Sequence, residues 1–141
     1  MLLRFSLAVV LRILCLTLPT WAGFKAGMDA YTHADDATAW REWRPLAEQG
    51  DVNAQYYIGA LHDLRKGVPQ DFPLAWEWYE KAAAKGHTGT QNNLGGLYEF
   101  GHGMPRNEVL AYMWYSLVAA HSLMTSGGTS QKTFSKRSRG T

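Results

Sequence analysis

Apolar residues recur at helical spacing in two separate blocks of the chain. The first block forms one broad stripe made of Leu74, Ala75, Trp78, Tyr79, Ala82 and Ala83. The second block forms the same stripe with Leu110, Ala111, Trp114, Tyr115, Val118 and Ala119. This spacing predicts an amphipathic α-helix in each block. Asp71 and Asn107 precede the helices, where a short acceptor side chain can cap free backbone N–H groups, and Gly86 supplies a natural stop.

A shorter apolar pattern precedes each of these helices and predicts a partner helix. Its positions are Ala54, Ile58 and Leu61 in the first block and Thr90, Leu94 and Leu97 in the second. Gly59 and Gly95 lie within these segments, where glycine costs about 1 kcal/mol relative to alanine. Because this cost recurs at one register, we expect a close backbone approach to the neighbouring helix. The strings Gly67-Val68-Pro69 and Gly103-Met104-Pro105 predict the connecting turns.

The two blocks are copies of one repeat. Residues 51–86 align with residues 87–122 at a shift of 36 without a gap, and eleven positions are identical. The identical pairs include Gln55/Gln91, Gly59/Gly95, Trp78/Trp114, Tyr79/Tyr115 and Ala83/Ala119. At the same shift Ala39-Trp40 falls on Ala75-Trp76 and Gly50 on Gly86, so a diverged unit ends at Gly50. A repeat of this length predicts helical hairpins that bury their apolar faces against their neighbours.

The chain divides into five segments. Residues 1–22 are predicted to be a signal peptide, because a short basic start is followed by an apolar run and by small residues before a cut after Ala22. A retained N-terminal anchor is the alternative. Residues 23–50 form the diverged N-terminal unit, 51–86 the first repeat and 87–122 the second. Residues 123–141 are rich in Ser, Thr and Gly, end basic, and are predicted to be a disordered tail.

Charge and cysteine content exclude several classes of protein. The net charge is +2, which argues against a nucleic-acid binder, since such proteins usually show a dense basic patch. Without residues 1–22 the chain carries 12 basic and 12 acidic residues, and four of the basic ones lie in the last ten positions. The rest has a net charge of −4. The single cysteine, Cys15, lies in the predicted signal peptide, so we expect no disulfide and no cysteine metal site.

The sequence contains no residue pattern that is typical of a catalytic or metal-binding site. The five histidines, His33, His62, His87, His102 and His121, are scattered and do not give three ligands on one helix face. Asp35-Asp36 is better explained as a turn and a helix N-cap than as a catalytic carboxylate pair. Gly101-His102-Gly103 lacks the preceding strand and later Gly or Lys of a phosphate loop. The Trp-Tyr stripes predict core packing and not a ligand cage, so we expect no catalytic residue, cofactor or metal.

The repeat resembles the Sel1-like repeats, a family related to the tetratricopeptide repeats with a slightly longer unit. The residues that carry the resemblance are Ala54-Gln55-Tyr56-Tyr57-Ile58-Gly59-Ala60-Leu61, Gly67-Val68-Pro69-Gln70-Asp71-Phe72 and Ala75-Trp76-Glu77-Trp78-Tyr79-Glu80-Lys81-Ala82-Ala83. The second copy matches through Gln91, Leu94-Gly95, Leu97-Tyr98, Gly101-His102-Gly103, Ala111, Trp114-Tyr115 and Ala119-Ala120. The resemblance implies an all-α solenoid of stacked antiparallel helix pairs. It also implies an adaptor or scaffold in a protein complex, and many bacterial members are exported. Because the matching residues are mostly packing residues, the resemblance implies no catalytic position.

Two departures from the family pattern leave alternatives open. Ser122 stands where the repeat has Gly, and only two complete repeats are present, whereas solenoids usually need about three. Either the early unit supplies the third layer, or the protein forms a homodimer, or the chain is a truncated member without function. We expect a periplasmic or secreted protein that binds a protein or peptide and has no integral membrane segment after signal removal. A cell-envelope hydrolase acting on wall material is the main alternative.

A partner is expected to lie along the first helices of the repeats. The outward positions there are Tyr56, Asp63, Asn92 and Glu99, which face away from the apolar stripe. The positions expected to pack the repeats together are Gly59, Gly95, Trp78, Trp114, Tyr79, Tyr115, Ala83 and Ala119. The sequence thus separates a packing set from a smaller set for recognition.

Overall fold

The computed structural model describes residues 20–137, and side chains within residues 21–126. This part of the chain forms six α-helices and no strand. In chain order they are α1 Thr20–Thr32, α2 Asp36–Glu48, α3 Val52–Asp63, α4 Phe72–Ala83, α5 Thr88–Phe100 and α6 Glu108–Arg137. Each helix packs against the next one along the chain. The predicted all-α stack of antiparallel helix pairs is confirmed, and its layers are α1–α2, α3–α4 and α5–α6.

The N-terminal unit is a complete helix pair and supplies the third layer. Its two helices are joined by residues 33–35, whereas residues 64–71 join the helices of the next layer. Because of this shorter link, an ungapped shift of 36 aligns α2 with α4 but cannot align α1 with α3. The predicted signal peptide, residues 1–22, lies outside the described residues except for its last three, which belong to α1.

Short acceptor side chains start the helices. The carboxylates of Asp35, Asp51 and Asp71 accept hydrogen bonds from the backbone N–H three residues later, at 3.1, 2.8 and 2.9 Å. The Asn107 side chain does the same for α6 at 3.0 Å. His87 begins α5 through its Nδ1, which accepts from Thr90 N at 3.1 Å. These bonds satisfy donors that a helix leaves unpaired at its first turn, and they confirm Asp35, Asp71 and Asn107 as caps.

Glycine and an aromatic ring meet at one register in all three layers. A Cβ added to Gly59 would lie 2.6 Å from the Tyr79 ring, and one added to Gly95 would lie 2.5 Å from the Tyr115 ring. In the first layer the Trp43 indole occupies the same place against Gly27. Only glycine lets these rings reach the helix backbone, so the predicted close approach at Gly59 and Gly95 is confirmed.

Buried glutamines join successive layers. Gln55 Nε2 donates to the carbonyl of Ala47 at 3.1 Å, and Gln91 Nε2 donates to the carbonyl of Ala83 at 3.3 Å. Both bonds run from the first helix of one layer to the end of the second helix of the layer before. Each carbonyl also accepts from the backbone N–H of the glycine three residues later, Gly50 or Gly86, so the glutamine adds a second bond and links the two layers.

The C-terminal part differs from the sequence expectation. We expected the last helix to end near Ser122 and residues 123–141 to be a disordered tail, but α6 continues to Arg137. The physical reason is the missing glycine: Gly50 and Gly86 end the earlier layers with φ of +95° and +87°, a conformation that Ser122 adopts only with strain. Ser122 instead stays helical, and its hydroxyl donates to the Val118 carbonyl at 3.0 Å.

Candidate protein-binding surface

The four predicted recognition residues occupy equivalent places on two neighbouring first helices. Tyr56 and Asp63 lie near the two ends of α3, and Asn92 and Glu99 occupy the corresponding positions of α5. Within each helix the two positions are seven residues apart, which is about 10 Å along the axis. Asn92 is exposed, and the other three are half-buried. We call the surface formed by these four residues the first-helix surface.

Asp63 and Tyr79 form the first polar pair of this surface. The Tyr79 hydroxyl donates to Asp63 Oδ2 at 3.2 Å. The Asn93 side chain of α5 lies beside this hydroxyl and acts to lower the pKa of Tyr79. One buried ring therefore connects the first helices of two layers. Asn93 was not among the predicted residues.

Glu99 and Tyr115 repeat the same pair one layer later. The Tyr115 hydroxyl donates to Glu99 Oε2 at 2.8 Å, and both residues lie 36 positions after their counterparts. An ionised carboxylate can accept about four hydrogen bonds, and the tyrosine supplies one of them. The arrangement therefore holds each carboxylate in a fixed orientation while it retains accepting capacity.

Burial sets the titration behaviour of these pairs. Partial burial raises the pKa of the Asp63 carboxyl, although the hydrogen bond from Tyr79 acts in the opposite direction. Burial and the neighbouring Asp63 carboxylate raise the pKa of Tyr79 far above its ordinary range. The pKa of Tyr115 is also raised, by burial and then by Glu99. Both hydroxyls therefore stay protonated and remain donors at neutral pH.

Tyr56 lies where two layers meet. Its ring is 4.7 Å from the His87 ring and 5.0 Å from the Tyr57 ring, measured between centroids. A Cβ added to Gly89 would meet the Tyr56 ring at 3.7 Å. Tyr56 is therefore part of the packing between α3 and α5 as well as part of the surface.

A cleft separate from the first-helix surface lies beside Trp76. This cleft has a volume of about 450 Å³ and is bounded by α4, the end of α5 and the turn before α6. Trp76 Nε1 donates to the Tyr98 hydroxyl at 3.1 Å across it. Its lining residues are Pro73, Trp76, Glu77, Tyr98, Gly103, Met104, Pro105 and Asn107. Because the walls of this cleft come from three separate segments of the chain, no single sequence motif indicates it.

The packing residues differ in how completely the structure covers them. Tyr79 and Ala83 are buried. Trp78 and Trp114 are half-buried: Trp78 packs against the core around Trp43, and Trp114 packs against the core around Tyr79. Ala119 is exposed, because no helix follows α6 to cover it within the described residues.

The remaining motifs considered in the sequence cap helices, end helices or contact backbone carbonyls. Asp35 caps α2, and Gly101 ends α5 in the left-handed conformation at φ +70°. His62 lies within hydrogen-bonding distance of the Pro69 carbonyl, at 3.3 Å from Nδ1. Within residues 20–137 no group of three or more His, Cys, Asp or Glu side chains is placed to hold a metal ion. In the same range no helix is both long and apolar enough to cross a membrane.

A family model for the Sel1 repeat matches residues 52–87 and 90–122. These two consecutive matches coincide with the α3–α4 and α5–α6 layers. The chain belongs to the Sel1 repeat family. Sel1 repeats are commonly protein interaction scaffolds, and the family is typically non-catalytic.

Two solved structures are similar to this Sel1 repeat chain. A Sel1 repeat protein from Oxalobacter formigenes has a TM-score of 0.70 and 26% identity, with 84% of this chain and 93% of that chain covered. A protective antigen present in uropathogenic Escherichia coli strains, which displays an SLR fold, has a TM-score of 0.68 and 28% identity. That match covers 72% of this chain but only 23% of the antigen. No curated protein sequence matches the chain.

Proposed function

We propose that this Sel1 repeat protein is an exported adaptor that binds a basic, extended segment of a partner protein along the first-helix surface. The proposal gives the protein no catalytic role. The observation that carries it is the repeated tyrosine–carboxylate pair, Tyr79–Asp63 and Tyr115–Glu99. Each pair fixes an acidic group at the same position of successive layers. A ligand with regularly spaced donors is the chemical complement of such a row.

Charge supports a basic partner. Residues 23–122 carry eight basic and 12 acidic residues, which is a net charge of −4. Helices packed side by side lie about 8–10 Å apart, and we infer a similar spacing for α3 and α5 because Tyr56 of α3 reaches His87 and Gly89 at the start of α5. An extended chain advances about 3.3 Å per residue. Two carboxylates on adjacent first helices would thus match basic residues about three positions apart. Exposed Asn92 lies about 10 Å along α5 from Glu99 and offers both a donor and an acceptor to the partner backbone.

The binding test uses labelled peptides with a Lys-x-x-Lys pattern and measures fluorescence anisotropy. The variant Asp63→Asn with Glu99→Gln removes both charges but keeps an oxygen that accepts from each tyrosine. Charge reversal would be less informative, because it would also break the bonds from Tyr79 and Tyr115. A charge-assisted hydrogen bond contributes about 1.5–3 kcal/mol, so we expect the double variant to bind at least about tenfold more weakly.

The matched control changes two acidic residues of α4 that are exposed, Glu77→Gln with Glu80→Gln. We expect this control to bind like the wild type, and a Glu-x-x-Glu peptide to bind neither protein. Equal loss of affinity in both variants would indicate a general charge effect and would contradict a defined site.

The export part of the proposal rests on residues 1–22. Their basic start, apolar run and small residues before the cut are typical of a signal peptide. Expression in a bacterial host followed by fractionation and N-terminal sequencing tests this directly. We expect envelope material that begins at Gly23. Cytoplasmic protein with an intact Met1 would contradict export without affecting the binding proposal.

A further inference from the structure

The face of α6 that points away from α5 is apolar and exposed. Its large residues are between 47% and 80% exposed, and they are Val109, Tyr112, Met113, Leu117, Leu123 and Met124. At 3.6 residues per turn these six positions fall within about 140° of the helix circumference and form a stripe, which we call the α6 outer face. Single exposed apolar residues are ordinary, but a continuous stripe of this kind marks an interaction surface.

Two central positions of the stripe are charged in α4, whereas Val109 and Tyr112 correspond to Pro73 and Trp76. Met113 and Leu117 correspond to Glu77 and Lys81 in α4, at the shift of 36 residues. In α2 the position of Met113 is held by Arg41, which is also exposed. The repeat itself therefore does not require an apolar residue at these places. The change to Met and Leu is confined to the last layer, where no further helix pair follows within the described residues.

Charge is absent from the whole of this stretch. Residues 109–126 contain no Asp, Glu, Lys or Arg, and His121 is their one titratable residue apart from the tyrosines. The inner side of α6 already packs on α5 through residues such as Ala111 and Trp114. A helix that is apolar on both sides is typical of a buried helix and not of a surface helix.

Helix α6 is also longer than α5, the helix against which it packs. α6 has 30 residues and α5 has 13, which correspond to lengths of about 45 and 20 Å. More than half of α6 therefore extends beyond the helix it packs on. An unsupported helical segment of this size is only marginally stable in water, so a second packing partner would account for its continuation.

The opposite end of the stack argues against head-to-tail assembly. On α1 the exposed residues Lys25 and Asp29 form an ion pair at 2.7 Å, with side chains 67% and 62% exposed. If the apolar stripe of a second copy packed on α1, it would remove this ion pair from water, and the lost hydration would cost free energy. Two α6 outer faces, in contrast, bring no like charges together. A symmetric contact between identical surfaces also closes on itself and does not propagate into a filament.

We propose that the α6 outer face is the interface of a symmetric homodimer in which the α6 helices of two copies pack against each other. The dimer covers the apolar stripe and supports the extended part of α6. Stable interfaces use about 20–30 residues on each side. One helix face provides fewer, so the dimer dissociates in the micromolar range.

The test measures the mass of the full chain by sedimentation equilibrium between about 5 and 500 µM, which brackets a micromolar Kd. We expect a shift from monomer to dimer mass. The variant Met113→Glu with Leu117→Lys restores the residue types of α4 and places Glu before Lys at i, i+4, a favourable helical pair. We expect it to stay monomeric at every concentration with unchanged helicity by circular dichroism.

Two controls make the result specific. Glu77→Gln with Lys81→Gln changes the same outer positions in α4 and should dimerise like the wild type. Lys25→Glu with Asp29→Lys alters the other end of the stack and should also have no effect. A wild-type chain that is monomeric at about 500 µM overturns the proposal. So does a monomeric chain that binds neutral phosphatidylcholine vesicles through Met113 and Leu117, because the occupant would then be lipid. Failure of dimerisation leaves the peptide-binding measurements untouched.

Discussion

Replacement of Gly59 by alanine tests the packing that holds the layers together. A Cβ at this position would lie 2.6 Å from two atoms of the Tyr79 ring and 3.2 Å from the Ala75 carbonyl oxygen. The ring has little room to move, because Tyr79 is completely buried and its hydroxyl is bonded to Asp63. The substitution therefore forces the α3 and α4 helices apart.

Two opposing effects determine the size of the change. Alanine stabilises the interior of a helix by about 1 kcal/mol relative to glycine, whereas overpacking a well-packed core costs about 1–3 kcal/mol. Because backbone and a buried ring both lie in the way, we expect the upper half of that range. Gly59→Ala should therefore lower the free energy of unfolding by about 1–2 kcal/mol, or the Tm by roughly 4 °C for each kcal/mol.

Gly96→Ala is the matched control in the neighbouring layer. A Cβ there would have the Tyr115 hydroxyl as its nearest contact, at 3.8 Å, which is ordinary van der Waals distance. We expect this variant to gain up to about 1 kcal/mol in unfolding free energy. The assay is urea unfolding followed by far-UV circular dichroism. If both variants were stabilised equally, the close approach at Gly59 would be refuted.

Three further substitutions test a helix start and the bonds between layers. Burial lowers the pKa of His87 below its ordinary 6.5, so the unfolded chain binds the proton more readily and stability falls as the pH drops below about 6.5. His87→Asp, which restores the cap residue found at Asp51, should remove that part of the pH dependence of Tm. Gln91→Met should cost about 1 kcal/mol through loss of its bond to Ala83. Gln55→Met should be nearly neutral in urea unfolding, because it also removes a buried Oε1 that has no hydrogen-bond partner.

Most of the fold can be predicted from the sequence because the residues that recur in the repeat are those that pack the helices together. The ungapped match of Trp78/Trp114 and Tyr79/Tyr115 fixes which helices are equivalent, and glycines at the same register show where rings approach the backbone. These features depend on spacing within 36 residues. A sequence with this pattern is therefore expected to fold into stacked helical hairpins.

The parts that could not be predicted depend on long-range geometry. Residues 23–50 are predicted as a diverged unit, but the equivalence of α1 and α3 does not follow from the sequence, because the short link between α1 and α2 shifts Gly27 out of the register of Gly59. The length of α6 was missed because Ser122 was interpreted as the end of a motif and not as the loss of a stop. The hydrogen bonds from Tyr79 to Asp63 and from Tyr115 to Glu99 were also missed, although both pairs are 16 residues apart in sequence.

The central claim is that the first-helix surface recognises a basic segment. The most direct measurement is a nuclear magnetic resonance titration of the isotope-labelled protein with the Lys-x-x-Lys peptide. We expect the largest chemical-shift changes at Asp63, Glu99 and Asn92, with smaller changes at Tyr79 and Tyr115 through their hydrogen bonds. Changes confined to the cleft beside Trp76 or to the α6 outer face would contradict the account.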